Sequence, residues 1–122
     1  MRAQDFVNES ISGTDMLDIF NQQHHEISSN RSMNQYIRSQ DWGIKMIDPH
    51  RLQDPLTTET DPFNRVIDID PDQVQHFVEL MKDNQPIKPI IIGPNGSVLD
   101  GNHRTVAARL LDRKLQAYVP MI

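Results

Sequence analysis

Val98-Leu99-Asp100-Gly101-Asn102-His103-Arg104 is the stretch on which the fold of this chain turns. Val98 and Leu99 close an extended segment, and Asp100-Gly101-Asn102 is a turn. Beyond it a helix is predicted from Thr105 to Asp112, with Val106, Ala107, Leu110 and Leu111 as its buried face. A helix N-terminus leaves backbone N–H groups unpaired and carries partial positive charge. A glycine at the turn lets an anion approach the backbone closely. Arg104 adds a guanidinium that can hold a phosphate bidentately. His103 can donate a hydrogen bond or a proton. The run is a candidate phosphate cradle. Its structural alternative is a helix capped by Asp100 or Asn102, with His103 extending the buried face.

Working outward, Ser97-Val98-Leu99 has a partner just upstream. Pro89-Ile90-Ile91-Ile92 is a β-branched run of buried-strand type, and Gly93-Pro94-Asn95-Gly96 joins the two. Asn-Gly is a strong hairpin signal because both residues tolerate positive φ. Before that strand, Asp70-Pro71 starts a helix, with Asp70 at the N-cap and Pro71 at the first helical position. Val74, Phe77, Val78 and Met81 form its core-facing stripe, and it ends by Asp83-Asn84. Gly43 to Ile47 alternates as a short strand closed by Asp48-Pro49. Residues 51–63 read as a surface loop, Asn64 to Ile69 as a second extended piece, and Tyr118-Val119 as the closing strand.

Residues 1–40 have another texture: Ser, Asn and Gln fill 15 of 40 positions. Met16, Leu17, Phe20, His24 and Ile27 keep helical spacing behind a Thr14 N-cap, and Ser28-Ser29-Asn30 breaks that helix. Met33, Tyr36 and Ile37 mark a second short helix. The predicted organisation is a helical polar arm over 1–40, which packs on the core or waits for a partner, followed by an α/β domain over 41–122. His24-His25-Glu26 invites a metal reading, but adjacent helix positions point about 100° apart and do not converge on one ion. No metal ligands are assigned.

The 122 residues carry a net charge of −5 and no cysteine, which excludes disulfides, thiolate metal sites and a cysteine nucleophile. Residues 1–40 sum to −2, residues 41–87 to −6 and residues 88–122 to +3, so the last third is where to look for any anion site. There is no membrane-spanning apolar run and no signal-peptide layout. A cytoplasmic protein is expected.

Asp100-Gly101-Asn102-His103-Arg104, followed by Ala107-Ala108, resembles the signature of the ParB/sulfiredoxin superfamily. ParB proteins carry Gly-Glu-Arg-Arg followed by alanines there, sulfiredoxins Gly-Gly-Cys-His-Arg, and the ParB-like free-serine kinases Asp-Gly-His-His-Arg, to which this run is most similar. Ile44 to Leu52 resembles the family's first strand and its Ile-Asp-Pro exit. The order from the Pro71 helix through Gln85-Pro86-Ile87 to the Ile90 strand is also similar, so about residues 44–120 are covered.

The resemblance implies a small mixed sheet with packed helices that binds nucleotide phosphates. Its binding residues would be Gln85, Pro86, Asp100, Gly101, Asn102, His103 and Arg104, and its ligand a nucleoside triphosphate, ATP or CTP, with Mg²⁺. NTPase, kinase or nuclease activity is what such a domain would add, with His103, Asp68 and Asp70 as catalytic candidates. Asn102 stands where sulfiredoxin has its cysteine, which excludes sulfinic-acid reduction, and where ParB has its glutamate. The length leaves no room for ParB's helix-turn-helix region, so a partition-site clamp is not expected. The alternative is a non-catalytic accessory protein of phage or plasmid type. It would bind a protein through residues 1–40 and nucleic acid through Arg109, Arg113 and Lys114 on the last helix.

Overall fold

The computed structural model describes residues 10–24, 30–53, 62, 63, 65 and 67–121. Among these, four helices surround a four-stranded mixed sheet. The elements are α1 (Gly13–His24), α2 (Arg31–Ser39), β1 (Asp41–Ile47), α3 (Pro71–Lys82), β2 (Ile90–Ile92), β3 (Val98–Asp100), α4 (Asn102–Leu110) and β4 (Leu115–Met121). The sheet order is β1-β4-β2-β3. β1 lies antiparallel to β4, β4 parallel to β2, and β2 antiparallel to β3.

Alternation along the strands explains why both faces of the sheet are covered. Ile90, Ile92, Val98, Leu115 and Ala117 meet Val74, Val78 and Met81 of α3 and Ala107 and Ala108 of α4. Ile91, Leu99 and Trp42 point the other way and meet Met16, Phe20, Met33 and Ile37 of α1 and α2. The continuous Ile90–Ile92 run is therefore apolar on both sides because it is buried on both sides. Asn95 (φ 57°) and Gly96 (φ 74°) turn the β2–β3 hairpin as their sequence predicts. Asp70 caps α3, its carboxylate accepting from the Asp72 N–H at 2.9 Å.

The arm forms one of the layers. Met16, Phe20 and Ile37 are fully buried, and the Trp42 indole N–H donates to the Ile37 carbonyl at 2.9 Å. Ile11 and Trp42 exchange backbone hydrogen bonds at 2.7 and 2.8 Å, fixing the chain at the outer edge of β1. Of the two expectations for the arm, packing in cis is the one realised by its described residues. α1 approaches α2 so closely that a Cβ on Gly13 would lie 2.0 Å from the Arg38 carbonyl oxygen.

Several local expectations are corrected. Ser12 rather than Thr14 caps α1: its hydroxyl accepts from the Asp15 N–H at 3.2 Å, and Thr14 lies inside the first turn. Leu110, expected on the buried face of α4, is 69% exposed. The helix instead turns Arg104, Thr105, Ala107 and Ala108 inward, because the two alanines let its backbone approach the sheet and Arg104 has a buried partner. Ile67 to Asp70 is irregular rather than extended strand, while Asn64, Val66 and most of the 51–63 loop lie outside the described residues. Ile27, Ser28 and Ser29 lie outside them too.

Candidate functional site

Gly101 sets the geometry of the motif. It adopts φ 101°, a left-handed conformation, and a Cβ there would meet Ile90 Cγ2 at 2.4 Å and Ile90 Cβ at 2.9 Å. Glycine is required by both the backbone angle and the packing. Gly101 is itself the N-cap of α4, so neither Asp100 nor Asn102 caps it with a side chain. The Asn102 amide instead donates to the Val98 carbonyl at 3.4 Å.

Arg104 is the candidate phosphate clamp of the sequence. It is only 7% exposed. Its Nη1 donates to the carbonyls of Lys88 (2.7 Å) and Pro89 (3.2 Å), and its Nη2 to Asp100 Oδ2 (3.1 Å) and Gln23 Oε1 (3.2 Å). Four donors of the guanidinium fork are thus used within the protein. Burial pushes the Arg104 pKa down from the ordinary arginine value, and the charge and hydrogen bond of Asp100 oppose that push. The guanidinium centre also lies 6.0 Å from the Phe77 ring centroid. Arg104 therefore ties the first turn of α4 to the chain entering β2 and to the last turn of α1.

His103 and Asp70 are brought together, but through the backbone: the Asp70 N–H donates to His103 Nε2 at 3.0 Å. That bond assigns Nε2 as the acceptor and leaves the neutral ring's proton on Nδ1. Asp70's carboxylate serves as the cap of α3, and Asp68 is exposed on the approach to that helix. Asp100 is buried against Arg104.

Two clefts adjoin at Ile87 and Lys88. The first, about 310 Å³, is lined by Gln23, Phe77, Leu80, Pro86, Ile87, Lys88 and Arg104. Two residues matched by the resemblance, Pro86 and Arg104, meet here, whereas Gln85 lines the second cleft, of about 280 Å³. Sequence reasoning missed Gln23, Phe77 and Lys88. Phe77 was legible only as core and Gln23 only as part of a polar arm.

The expected nucleic-acid track is interrupted. Arg109 donates to the carbonyls of Pro49 (2.9 Å), Leu52 (2.6 Å) and Gln53 (3.3 Å), fastening the turn after β1 onto α4. Arg113 donates to the Met81 carbonyl at the end of α3. Among the described residues no group of three or more His, Asp or Glu is placed to hold a metal ion. His25 and Glu26 lie outside the described residues. No described helix is long and apolar enough to cross a membrane. Comparison with protein-family models, curated proteins and solved structures gives no match for this chain.

Proposed function

We propose that the chain is a nucleotide-binding domain of the ParB/sulfiredoxin type, with the base in the cleft between Phe77, Pro86 and Arg104. The observation that carries this is the meeting of Pro86 and Arg104 in one cleft, since the resemblance assigned both to a nucleotide site. Phe77, Leu80, Pro86 and Ile87 supply apolar walls for a planar base, and the volume is at the small end for a ligand pocket.

Arg104 acts as a positioning residue. It can only donate, so it holds the Oε1 of Gln23 and turns that amide's NH₂ away from itself, as a donor for an acceptor atom on the base. Lys88, which has no carboxylate partner among the described residues, offers its ammonium to the phosphates. His103, Asp68 and Asp70 do not line this cleft, so the proposal is confined to binding. Docking of a partner by the arm is the weaker alternative, because the apolar faces of α1 and α2 are already buried in cis.

The test is thermal-shift titration with ATP, CTP, GTP and ADP, with and without Mg²⁺. Ligand at 100 times its Kd should add about 2.7 kcal/mol of stability. Phe77→Ala should weaken the shift. No shift with any of the four at millimolar concentration overturns the proposal.

A further inference from the structure

The second cleft, between the end of α3 and the start of β4, gathers the cations Lys88, Arg113 and Lys114. Asn84, Gln85 and Gln116 add amide groups, and Met81, Ile87 and Leu115 form the floor. No carboxylate lines it, although the chain holds 17 acidic residues against 12 basic ones. Asp83 and Asp112 are sequence neighbours of this cleft but not part of its lining, and Asp112 is paired with His50 at 3.0 Å. Among the described residues, Lys88, Arg113 and Lys114 make no ion pair.

Like charges gathered in one concavity repel one another, and an anion bound between them relieves that repulsion. The end of α3 accounts for one of the three: helix carbonyl ends attract cations, and Arg113 donates to Met81 there. It does not account for Lys88, six residues beyond the last residue of α3, or for Lys114, four beyond that of α4. Arg113 and the two ammonium groups match the charge of a compact polyanion, and Gln85 and Gln116 can donate to its remaining oxygens.

We propose that this cleft binds a small phosphate-bearing anion of the diphosphate kind. Nucleic acid is the less fitting source of that phosphate. A backbone footprint needs a continuous basic stripe, whereas Arg109 is committed to the carbonyls of Pro49, Leu52 and Gln53. The site does not depend on the base-binding role of the neighbouring cleft.

Titration calorimetry of the full chain with pyrophosphate, inorganic phosphate and a single-stranded oligothymidylate tests this. Pyrophosphate should bind, more tightly than phosphate. Lys114→Glu should weaken it at least about ten-fold, the size of one lost charge-assisted hydrogen bond. Lys45→Glu makes the same change in net charge on exposed β1, outside the cleft, and should leave binding unchanged. Phe77→Ala should leave it unchanged as well, which separates this site from the nucleotide proposal. Absence of pyrophosphate binding, equal loss in Lys45→Glu, or binding of the oligonucleotide alone overturns the assignment.

Discussion

Truncating Arg104 to alanine should damage the fold before it damages any ligand site. The side chain is 9% exposed and that of its ion-pair partner Asp100 11% exposed. Removing the guanidinium takes the Arg104 ion pair from the buried Asp100 carboxylate and donors from Lys88, Pro89 and Gln23. Breaking one side of a buried ion pair costs about 3–5 kcal/mol. Domains of this size are stable by about 5–15 kcal/mol, so Arg104→Ala should lose a large fraction of the total. Arg104→Lys should recover little, since a single ammonium cannot span four acceptors on three segments.

Urea unfolding followed by the fluorescence of Trp42, which is fully buried, gives the measurement. Asp100→Asn combined with Arg104→Met should cost less than the sum of the two single changes, because each single change already breaks the one contact the pair shares. The pair sits i,i+4 at the start of α4, so the coupling should read out directly in such a cycle. If Arg104→Ala unfolds within about 1 kcal/mol of the wild type and the double change is additive, the guanidinium is not a crosslink and the free phosphate clamp returns.

Two further outcomes follow from the same structure. Burial raises the Tyr36 pKa, so the folded state keeps the phenol proton longer than the unfolded state does. That contribution is complete below the ordinary tyrosine value of about 10 and is lost as pH rises through the folded value. Tyr36→Phe should therefore flatten the alkaline fall in stability measured by urea unfolding, and an unchanged fall would refute it. Deleting residues 1–40 should give an aggregated or molten fragment, because Trp42, Ile91 and Leu99 lose the cover of Met16, Phe20, Met33 and Ile37. Each of those four is worth about 1.5–3 kcal/mol on burial, and a monomeric, cooperatively melting fragment would refute it.

What was legible in the sequence was what neighbours decide. Asn95-Gly96 sets its own turn, and Asp70-Pro71 sets its own helix start. The stripe of Val74, Val78 and Met81 is a local pattern with one solution. The role of Arg104 was hidden because two of its acceptors lie 16 and 15 residues upstream and a third lies 81 residues upstream. One signal was available: Asp100 and Arg104 are spaced i,i+4, as a helical ion pair requires. The buried face of α4 was misread for a related reason. Leucines attract the eye as core, yet close approach to a sheet selects Ala107 and Ala108, and Leu110 is left outside.

The resemblance and the structure give Arg104 different roles. A guanidinium whose Nη1 and Nη2 already serve four protein acceptors has no fork left for a phosphate. In the proposed site the phosphate charge must then fall to Lys88, the cation shared by both clefts. Arg104 also joins the site to the arm, because Gln23 of α1 is at once its acceptor and a wall of the cleft. A ligand that draws on the Gln23 amide stabilises the seat of α1 on the sheet, and loosening α1 removes that wall. On the proposed function, binding in this cleft and docking of the arm would be coupled through one hydrogen bond. Gln23→Leu should weaken the nucleotide shift while leaving the diphosphate cleft, which Gln23 does not line, as it was.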